Sequence, residues 1–344
     1  MQQTHSSFWD IPEHVLPLAQ FLDKNQLAAA SAVCKNWNTI FTPFLYSDIA
    51  WLPDRNEKVP PRDVLQAHAH QVRSFRIEEP FPYFSLTLLR KLIVDTSIIN
   101  TSSHQRFLIQ VANLITQNSH LQSVEVDMRF WSIEDELQIV NLLSQCKHIQ
   151  ELTIMFQSFE KTIAQQILQL STRLQSLNIL AICAEPINFS DQLPPSLEMK
   201  NLVLDIKLGM TLSEQFDIIR RFPQLNRLRW FIGIHPNLNQ GIQEAFSDCR
   251  LPVKELILRR VKFNGERLLD ESLVRIVESC PEITSLSTDG ISFGSLTLQS
   301  LKRRFDNLTQ LKVIYSPAMT SSMVQEIMTS CPHLLDLTAV PLDA

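Results

Sequence analysis

The chain has 344 residues, of which 44% are hydrophobic, and a formal net charge of −5, so it is long enough for a sizeable core and two unequal domains. Because there is no basic excess, the composition argues against nucleic acid as a partner. No run of about 18 apolar residues predicts a membrane span, and the first residues lack the apolar stretch of a secretion signal, so no membrane partner is expected.

Two or three short amphipathic helices are predicted in the first fifty residues. Asp10 fits a helix N-cap with Pro12 in the first turn. Apolar residues then recur at helical spacing in two sets, separated by a polar break. The sets are Val15, Leu18, Ala19 and Leu22, and then Ala30, Val33, Cys34 and Trp37. A unit of about 40 residues buries too little surface to be stable alone, so its apolar residues need cover from the rest of the chain or from a partner.

Residues 50–71 are predicted to form a linker. Pro53, Pro60 and Pro61 interrupt regular structure there. His68 and His70, at its end, could be two ligands of a metal ion, but no third or fourth ligand lies nearby in the sequence. They therefore indicate an exposed polar junction. No metal site is therefore predicted.

A pattern of three apolar residues at positions 0, +3 and +5 recurs eleven times after the linker. The triplets begin at Val72, Leu89, Leu121, Ile149, Leu174, Met199, Leu225, Val253, Ile283, Leu308 and Leu334. From Leu121 onward the first residues are 25 to 30 positions apart, a period typical of a solenoid. Each triplet predicts a short strand whose +3 and +5 side chains point inward and whose +2, +4 and +6 side chains point outward.

Segments between the strands carry helical spacing instead. Four apolar faces at i, i+3, i+4, i+7 are Leu108/Val111/Ala112/Ile115, Ile139/Leu142/Leu143/Cys146, Leu273/Ile276/Val277/Cys280 and Val324/Ile327/Met328/Cys331. Ser132 with Asp135, and Thr211 with Glu214, fit capping boxes at helix starts. The predicted fold class is thus α/β, with about ten or eleven stacked strand–helix units over 72–340.

The repeats resemble the leucine-rich repeat family, in its cysteine-containing subclass. The resemblance rests on Cys146-Lys147-His148-Ile149, Cys280-Pro281-Glu282-Ile283 and Cys331-Pro332-His333-Leu334, each of which runs into a strand. It implies a curved, right-handed solenoid with a parallel sheet on its concave face. Stacked repeats of this kind form long surfaces that bind other proteins.

Residues 8–49 resemble an F-box. The resemblance rests on Ile11-Pro12-Glu13, Phe21-Leu22-Asp23, Leu27, Val33-Cys34-Lys35-Asn36-Trp37-Asn38 and Phe44-Leu45-Tyr46. It implies docking on the Skp-family adaptor of an SCF-type cullin–RING ubiquitin ligase. The adaptor contacts that it implies are Ile11, Pro12, Val15, Leu16, Leu18, Leu22, Leu27, Val33, Cys34 and Trp37.

Outward strand positions of the repeats are candidates for binding a client protein. Arg227, Arg229, Phe231 and Arg259 lie on neighbouring predicted strands. Arginine suits bidentate binding of carboxylate or phosphate, and phenylalanine adds an apolar anchor. Our hypothesis is that these four residues contact an acidic or phosphorylated client segment. The other interpretation is an ordinary surface of solvated charges.

Signals of catalysis are weak. The chain has six glycines and no phosphate-binding loop, and it contains no CxxC or HExxH motif, while Gly290-Ile291-Ser292-Phe293-Gly294 has the spacing of GxSxG. Glu134-Asp135-Glu136 falls in a predicted first helical turn, where acids are favoured by the helix dipole. The six cysteines mostly occupy apolar helix positions and indicate reduced thiols of a cytoplasmic or nuclear protein. We expect neither an enzyme nor a bound cofactor.

The resemblances together imply a substrate-recognition subunit for ubiquitin-dependent protein degradation. Its F-box would bind the Skp-family adaptor, and through it a cullin–RING ligase, while its repeats hold an unknown client. Two alternatives stay open: a leucine-rich-repeat scaffold outside the ubiquitin system, and a solenoid that regulates an enzyme.

Overall fold

The computed structural model describes residues 15–52, 61–81, 85–96, 103–185, 195–235, 237–246, 249–260 and 267–339. Within them the chain is an α/β repeat protein with twelve parallel strands and intervening helices, which confirms the predicted fold class at that level. Two compact units divide the chain. The first comprises Met1–Asp127 and Asn141–Ile149, and the second comprises Met128–Val140 and Gln150–Ala344.

The first unit begins with short helices and continues into four parallel strands. A 3-10 helix, Leu16–Phe21, comes first. The α-helices are α1 (Lys24–Ser31), α2 (Lys35–Leu45), α3 (Arg62–His68) and α4 (His104–Gln117). The strands are β1 (Asp48–Trp51), β2 (Ser74–Ile77), β3 (Lys91–Val94) and β4 (Ser123–Asp127), each paired with the next. Helix α5 (Ile133–Gln145) contributes residues to both units.

The described residues 15–45, which we name the helical head, have a small core of their own. That core consists of Val15, Ala19, Leu27, Ala30, Ile40 and Phe41. A capping box starts α1: the Asp23 side chain accepts a hydrogen bond from the Gln26 backbone N–H at 2.8 Å, and Asp23 N–H donates to Gln26 Oε1 at 2.9 Å. The capping box and the apolar contacts of the core therefore both order the head.

The second helical face predicted in the head does not form. Helix α1 ends at Ser31 and α2 begins at Lys35, so Ala30, Val33 and Trp37 do not share one helix. Val33 lies in the break with 64% of its surface exposed. The spacing was misleading because two short helices and the turn between them imitate the period of one longer helix.

The predicted linker is partly regular. Strand β1 ends in it at Trp51 and pairs in parallel with β2, with Ile49 opposite Phe75. Helix α3 lies in it as well, with Leu65 buried. The sequence analysis missed this strand because Tyr46, Ile49 and Trp51, which have the triplet spacing, lie where the F-box resemblance ends and the predicted linker begins. The helical head therefore runs directly into the first strand of the unit's sheet.

Two buried amide side chains, Gln110 in α4 and Asn118 directly after it, hold the irregular repeat between β2 and β3. Asn118 accepts from Leu89 N–H at 2.8 Å and donates to the carbonyl oxygens of Leu86 and Leu114 at 2.7 and 2.8 Å. Gln110 forms a similar pair with the backbone of Phe81, at 2.9 and 3.1 Å. These bonds satisfy loop backbone groups that would otherwise be buried without partners.

The second unit is a regular series of eight parallel strands, each hydrogen-bonded to the next. The strands are β5 (Glu151–Phe159), β6 (Ser176–Ala184), β7 (Asn201–Leu208), β8 (Arg227–Ile232), β9 (Glu255–Arg260), β10 (Ser285–Asp289), β11 (Gln310–Ile314) and β12 (Asp336–Ala339). The helices are α6 (Lys161–Leu170), α7 (Leu212–Arg220), α8 (Leu238–Ala245), α9 (Asp270–Glu278), α10 (Ser295–Lys302) and α11 (Ser321–Ser330).

Alternate strand residues of this unit are buried, as the triplet pattern predicts. In β8, Leu228 and Trp230 are 1% and 0% exposed. The Trp230 indole N–H donates to Gln215 Oε1 at 2.7 Å, so its one polar group is satisfied by α7. The core of the unit thus lies between the inward strand positions and the helices.

Helix starts in this unit are capped both locally and from the preceding repeat. The Thr211–Glu214 capping box is confirmed. At α10 the cap comes from Asp270, at the start of α9, whose carboxylate accepts from Gly294 N–H at 2.8 Å and Leu296 N–H at 2.9 Å. Asp270 thereby ties one repeat to the next, an interaction that no local motif predicts.

The last described repeat is less buried than the others. Met328, predicted on the inner face of α11, is 68% exposed, so that assignment is wrong for this residue. In β12 the inward positions Leu337 and Ala339 are only half-buried. Among the described residues β12 pairs with β11 alone, and fewer neighbours therefore cover its side chains.

Candidate protein-interaction surfaces

Those predicted adaptor contacts that the structure describes fall into three groups according to their burial. Ile11 and Pro12 lie outside the described residues. Val15 and Leu27 belong to the core of the helical head, at 0% and 6% exposure. Because they are buried in this core, Val15 and Leu27 stabilise the head and are not themselves exposed to a partner.

A second group is half-buried or engaged in local structure. Leu22 and Trp37 pack against the head core, and the Trp37 ring meets Phe41 edge-on at 5.4 Å between centroids. Cys34 is exposed and caps α2, where its Sγ accepts from Trp37 N–H at 3.5 Å. These residues hold the geometry of the turn between α1 and α2.

The third group is exposed and apolar, and we name it the head apolar surface. Its members are Leu16, Leu18, Phe21 and Val33, at 46%, 41%, 83% and 64% exposure. Leu18 and Phe21 are three residues apart in the 3-10 helix, a spacing that aligns side chains on one side. Phe21 was not among the predicted contacts because it falls outside the helical set that starts at Val15, although it belongs to a stretch that carries the F-box resemblance.

The outward strand residues of the second unit define what we name the open sheet face, opposite to the buried core positions. Strand register sets them in three rows. The first row is Glu151, Ser176, Asn201, Arg227, Glu255, Ser285, Gln310 and Asp336. The second is Thr153, Asn178, Val203, Arg229, Ile257, Ser287, Lys312 and Thr338. The third is Met155, Leu180, Asp205, Phe231, Arg259, Asp289 and Ile314.

The four residues predicted to bind a client lie together on β8 and β9. Arg227 pairs with Glu255, directly opposite it in register, at 2.9 Å. Arg259 pairs with Asp289 at 3.6 Å and also lies over the Phe231 ring, 5.8 Å from the centroid. The sequence analysis foresaw the cluster but not that two of its three arginines already have acidic partners.

Arg229 differs from the other two arginines. It forms no ion pair with any of the described residues, and its register neighbours are the apolar Val203 and Ile257. The side chains of Arg229, Val203 and Ile257 are all half-buried. A guanidinium with apolar neighbours and no anion of its own is suited to binding an incoming anionic group.

Asp205 adds a negative charge beside this cluster. It lies opposite Phe231 in the third row, on the same strand as Val203. Burial raises the pKa of the Asp205 carboxyl, which the nearby Lys207 opposes. Its Oδ1 is buried without a hydrogen-bond partner in the described structure. Among the described residues, the cluster therefore combines Arg229, which has no ion pair, with the poorly solvated acid Asp205.

The acidic run at the start of α5 is not explained by the helix dipole alone. Glu134 is exposed, but Glu136 is 3% exposed. Burial raises the pKa of Glu136 to about 8, and the charges of Glu160 and Asp135 raise it as well. Glu136 is therefore largely protonated at neutral pH, which the sequence interpretation did not anticipate.

The cysteine thiols at the repeat positions are buried and unreactive. Burial raises the pKa of Cys280 to about 12 and that of Cys331 to about 11. Because the thiolate is the nucleophilic form, these groups are inert at neutral pH. Their structural assignment agrees with this geometry.

A cleft of about 650 Å³ lies between α7 and α8 in the second unit. His235 lines it, with Nε2 3.3 Å from the amide nitrogen of Gln215. Burial lowers the pKa of His235, so the ring is neutral and Nε2 accepts this hydrogen bond. Since Gln215 also accepts from Trp230, the network ties the wall of the cleft to the core of the unit.

Comparison with known proteins gave no match, either among protein-family models or among curated proteins. Across the described part of the chain, the helices are too short or too polar to cross a membrane. No group of three or more metal-binding side chains occurs among the residues that the structure describes. The surfaces themselves therefore carry the functional argument.

Proposed function

We propose that this protein is a substrate-recognition subunit of an SCF-type cullin–RING ubiquitin ligase. The observation that carries the proposal is the head apolar surface, in which Leu16, Leu18, Phe21 and Val33 are exposed on a small helical segment. Large apolar side chains concentrated on so short a segment are typical of a protein-interaction site. The F-box resemblance of the same segment gives the partner as the Skp-family adaptor.

The division of the head into core and surface supports this role. Val15 and Leu27 keep the head folded while Leu16 and Phe21 are left outside. A partner would cover the outer residues without unfolding the inner ones. Exposed aromatic side chains that become buried in an interface contribute much of its binding free energy, so Phe21 is the principal anchor in this proposal.

The open sheet face of the second unit is the proposed client site. It presents three rows of side chains on eight strands, each of which is hydrogen-bonded directly to the next. The proposed subunit does no bond chemistry and has no cofactor. It raises the effective concentration of a client lysine near the conjugating enzyme, a proximity effect. With its six free cysteines, we assign it to the cytoplasm or the nucleus.

Co-purification of the full chain with a Skp-family adaptor tests the proposal. The double variant Leu16→Glu with Phe21→Glu places charges on the head apolar surface without touching its core. We expect adaptor recovery to fall about tenfold or more, because both side chains must be desolvated in the complex. Leu335→Glu is the matched control, since Leu335 is 87% exposed and lies in the second unit.

Two results would contradict the proposal. One is a wild-type chain that recovers no adaptor, which would leave a repeat scaffold or an enzyme regulator. The other is a double variant that recovers the adaptor as well as the Leu335→Glu control does, with both chains folded by circular dichroism.

A further inference from the structure

Two of the three arginines on the open sheet face are not available for a simple electrostatic contact. The Arg227 guanidinium lies 2.9 Å from Glu255, and that of Arg259 lies 3.6 Å from Asp289. A client anion would have to compete with these acids. Pairs as exposed as these contribute little to stability, but they do neutralise the positive charge of their arginines.

Arg229 retains its charge for a ligand. No ion pair engages it among the described residues, and Val203 and Ile257 lie on either side of it in register. Phe231 is two positions further along β8, on the same face. Apolar neighbours reduce competition from water, so a charge-assisted hydrogen bond to this guanidinium is stronger than one on a fully solvated surface.

The acids around Arg229 limit how much negative charge a ligand can bring. Asp205 lies beside Phe231, and Glu255 lies beside Arg227, both on strands adjacent to β8. Because Arg227 neutralises Glu255, the carboxylate that a phosphate dianion or a run of acidic residues would meet beside Arg229 is that of Asp205. Juxtaposed like charges are costly at an interface, so the balance favours a ligand with a single negative charge.

We propose that the patch formed by Val203, Arg229, Phe231 and Ile257 binds a client segment in which one carboxylate is flanked by apolar side chains. The carboxylate accepts two hydrogen bonds from Arg229, and the flanking side chains cover Phe231 and the two aliphatic residues. This inference rests on the proposed function, because it takes the open sheet face as the client site. It narrows the sequence hypothesis by excluding phosphorylated and polyacidic segments.

A random-peptide display library selected on the purified full chain tests the inference. We expect the enriched peptides to share one Asp or Glu between apolar residues. For a synthetic peptide from this set, Glu→Gln in the peptide and Arg229→Gln in the protein should each weaken binding about 10- to 100-fold, the range of a lost charge-assisted pair. Both changes together should weaken it no further than either one alone, because they remove the same interaction.

Arg227→Gln is the matched control on the same strand. Because Arg227 is already paired with Glu255, this variant should change peptide binding by about threefold at most. Three outcomes overturn the inference: selection yields no binding peptide, the selected peptides are polyacidic or bind equally well to Arg229→Gln, or a phosphoserine in place of the Glu tightens binding. Adaptor recovery measured on the same preparation tests the proposed function separately, since it does not involve Arg229.

Discussion

The helical head and the repeats of the second unit differ in how completely they bury their apolar side chains. In the head, a core of six residues leaves four large apolar side chains exposed within about twenty positions. In the second unit, strands β5 to β11 bury their inward pairs against their own unit, and exposed apolar residues such as Leu208 and Leu269 are scattered along the repeats. Scattered apolar residues are normal on a surface, whereas a concentration of them on a short segment requires an explanation.

The comparison shows that repetition supplies cover that a single short segment cannot. A repeat that lies between two others has neighbours for both of its sides, so its apolar residues can all be buried. The head has too few residues to enclose its own. Its surplus is the physical basis for proposing a partner there.

The largest effect should come from the regular repeats. Trp230→Ala should lower the free energy of unfolding by about 4 kcal/mol, because it leaves a large cavity and removes the donor to Gln215. Hydrogen exchange should show the loss of protection concentrated in β7 to β9, with the head helices unchanged. Phe130→Ala is the control, since Phe130 is 68% exposed. Equal loss of protection in the head would refute the local character of repeat stability.

The irregular repeat of the first unit should be nearly as sensitive, but through hydrogen bonds. Asn118→Ala removes three bonds to buried backbone groups and should cost about 3 kcal/mol in chemical denaturation. Asn25→Ala, at an exposed position of α1, should cost less than about 0.5 kcal/mol. A neutral result at Asn118 would mean that the loop between β2 and β3 is held by other contacts.

A smaller, pH-dependent effect should appear at Glu136. Its pKa in the folded state, about 8, is above the ordinary value of 4.5, so the folded protein binds the proton more tightly than the unfolded chain does. Stability should therefore fall as the pH rises from about 4.5 to about 8. Glu136→Gln should remove this fall and stabilise the protein by about 1–2 kcal/mol at pH 8. The exposed Glu134→Gln serves as the control, and thermal unfolding that follows the same pH curve in both variants would contradict the assignment.

The smallest effect should come from the cap between repeats. Asp270→Ala should destabilise by about 1 kcal/mol, because the start of α10 loses its acceptor. Asp306→Ala, at an exposed position, provides the comparison. If urea denaturation gave the same midpoint for both variants, the bond between repeats would contribute nothing measurable.

Sequence periodicity predicted the strands well because the period of two is enforced by burial. The triplets at Leu225 and Leu308 match β8 and β11, with their +3 and +5 side chains buried. Helix starts with a local motif, such as Thr211 and Glu214, were also predictable. Strand β1 was not predicted, although Tyr46, Ile49 and Trp51 have the same spacing, because the F-box resemblance and the prolines of the linker assigned this stretch to other elements.

The candidate sites were less predictable than the fold, because exposure and pairing depend on contacts distant in sequence. The sequence brought Arg227 and Arg259 into one cluster, but their acids lie on the next strands, 28 and 30 residues further along the chain. Likewise, apolar spacing placed Val15 and Leu18 on one helical face, yet only Val15 is buried. A helical period identifies a face but not what covers it.

The spacing of side chains along the in-register rows of the second unit limits how many residues of a bound peptide the rows can match. Neighbouring side chains of one row are about 4.8 Å apart, whereas side chains on one side of an extended peptide are about 6.7 Å apart. A peptide lying across the strands therefore matches the rows at one place and drifts out of step within a few strands. Selectivity should thus reside in two or three adjacent repeats, and the remaining strands are free to vary their outward residues without changing which peptide is held.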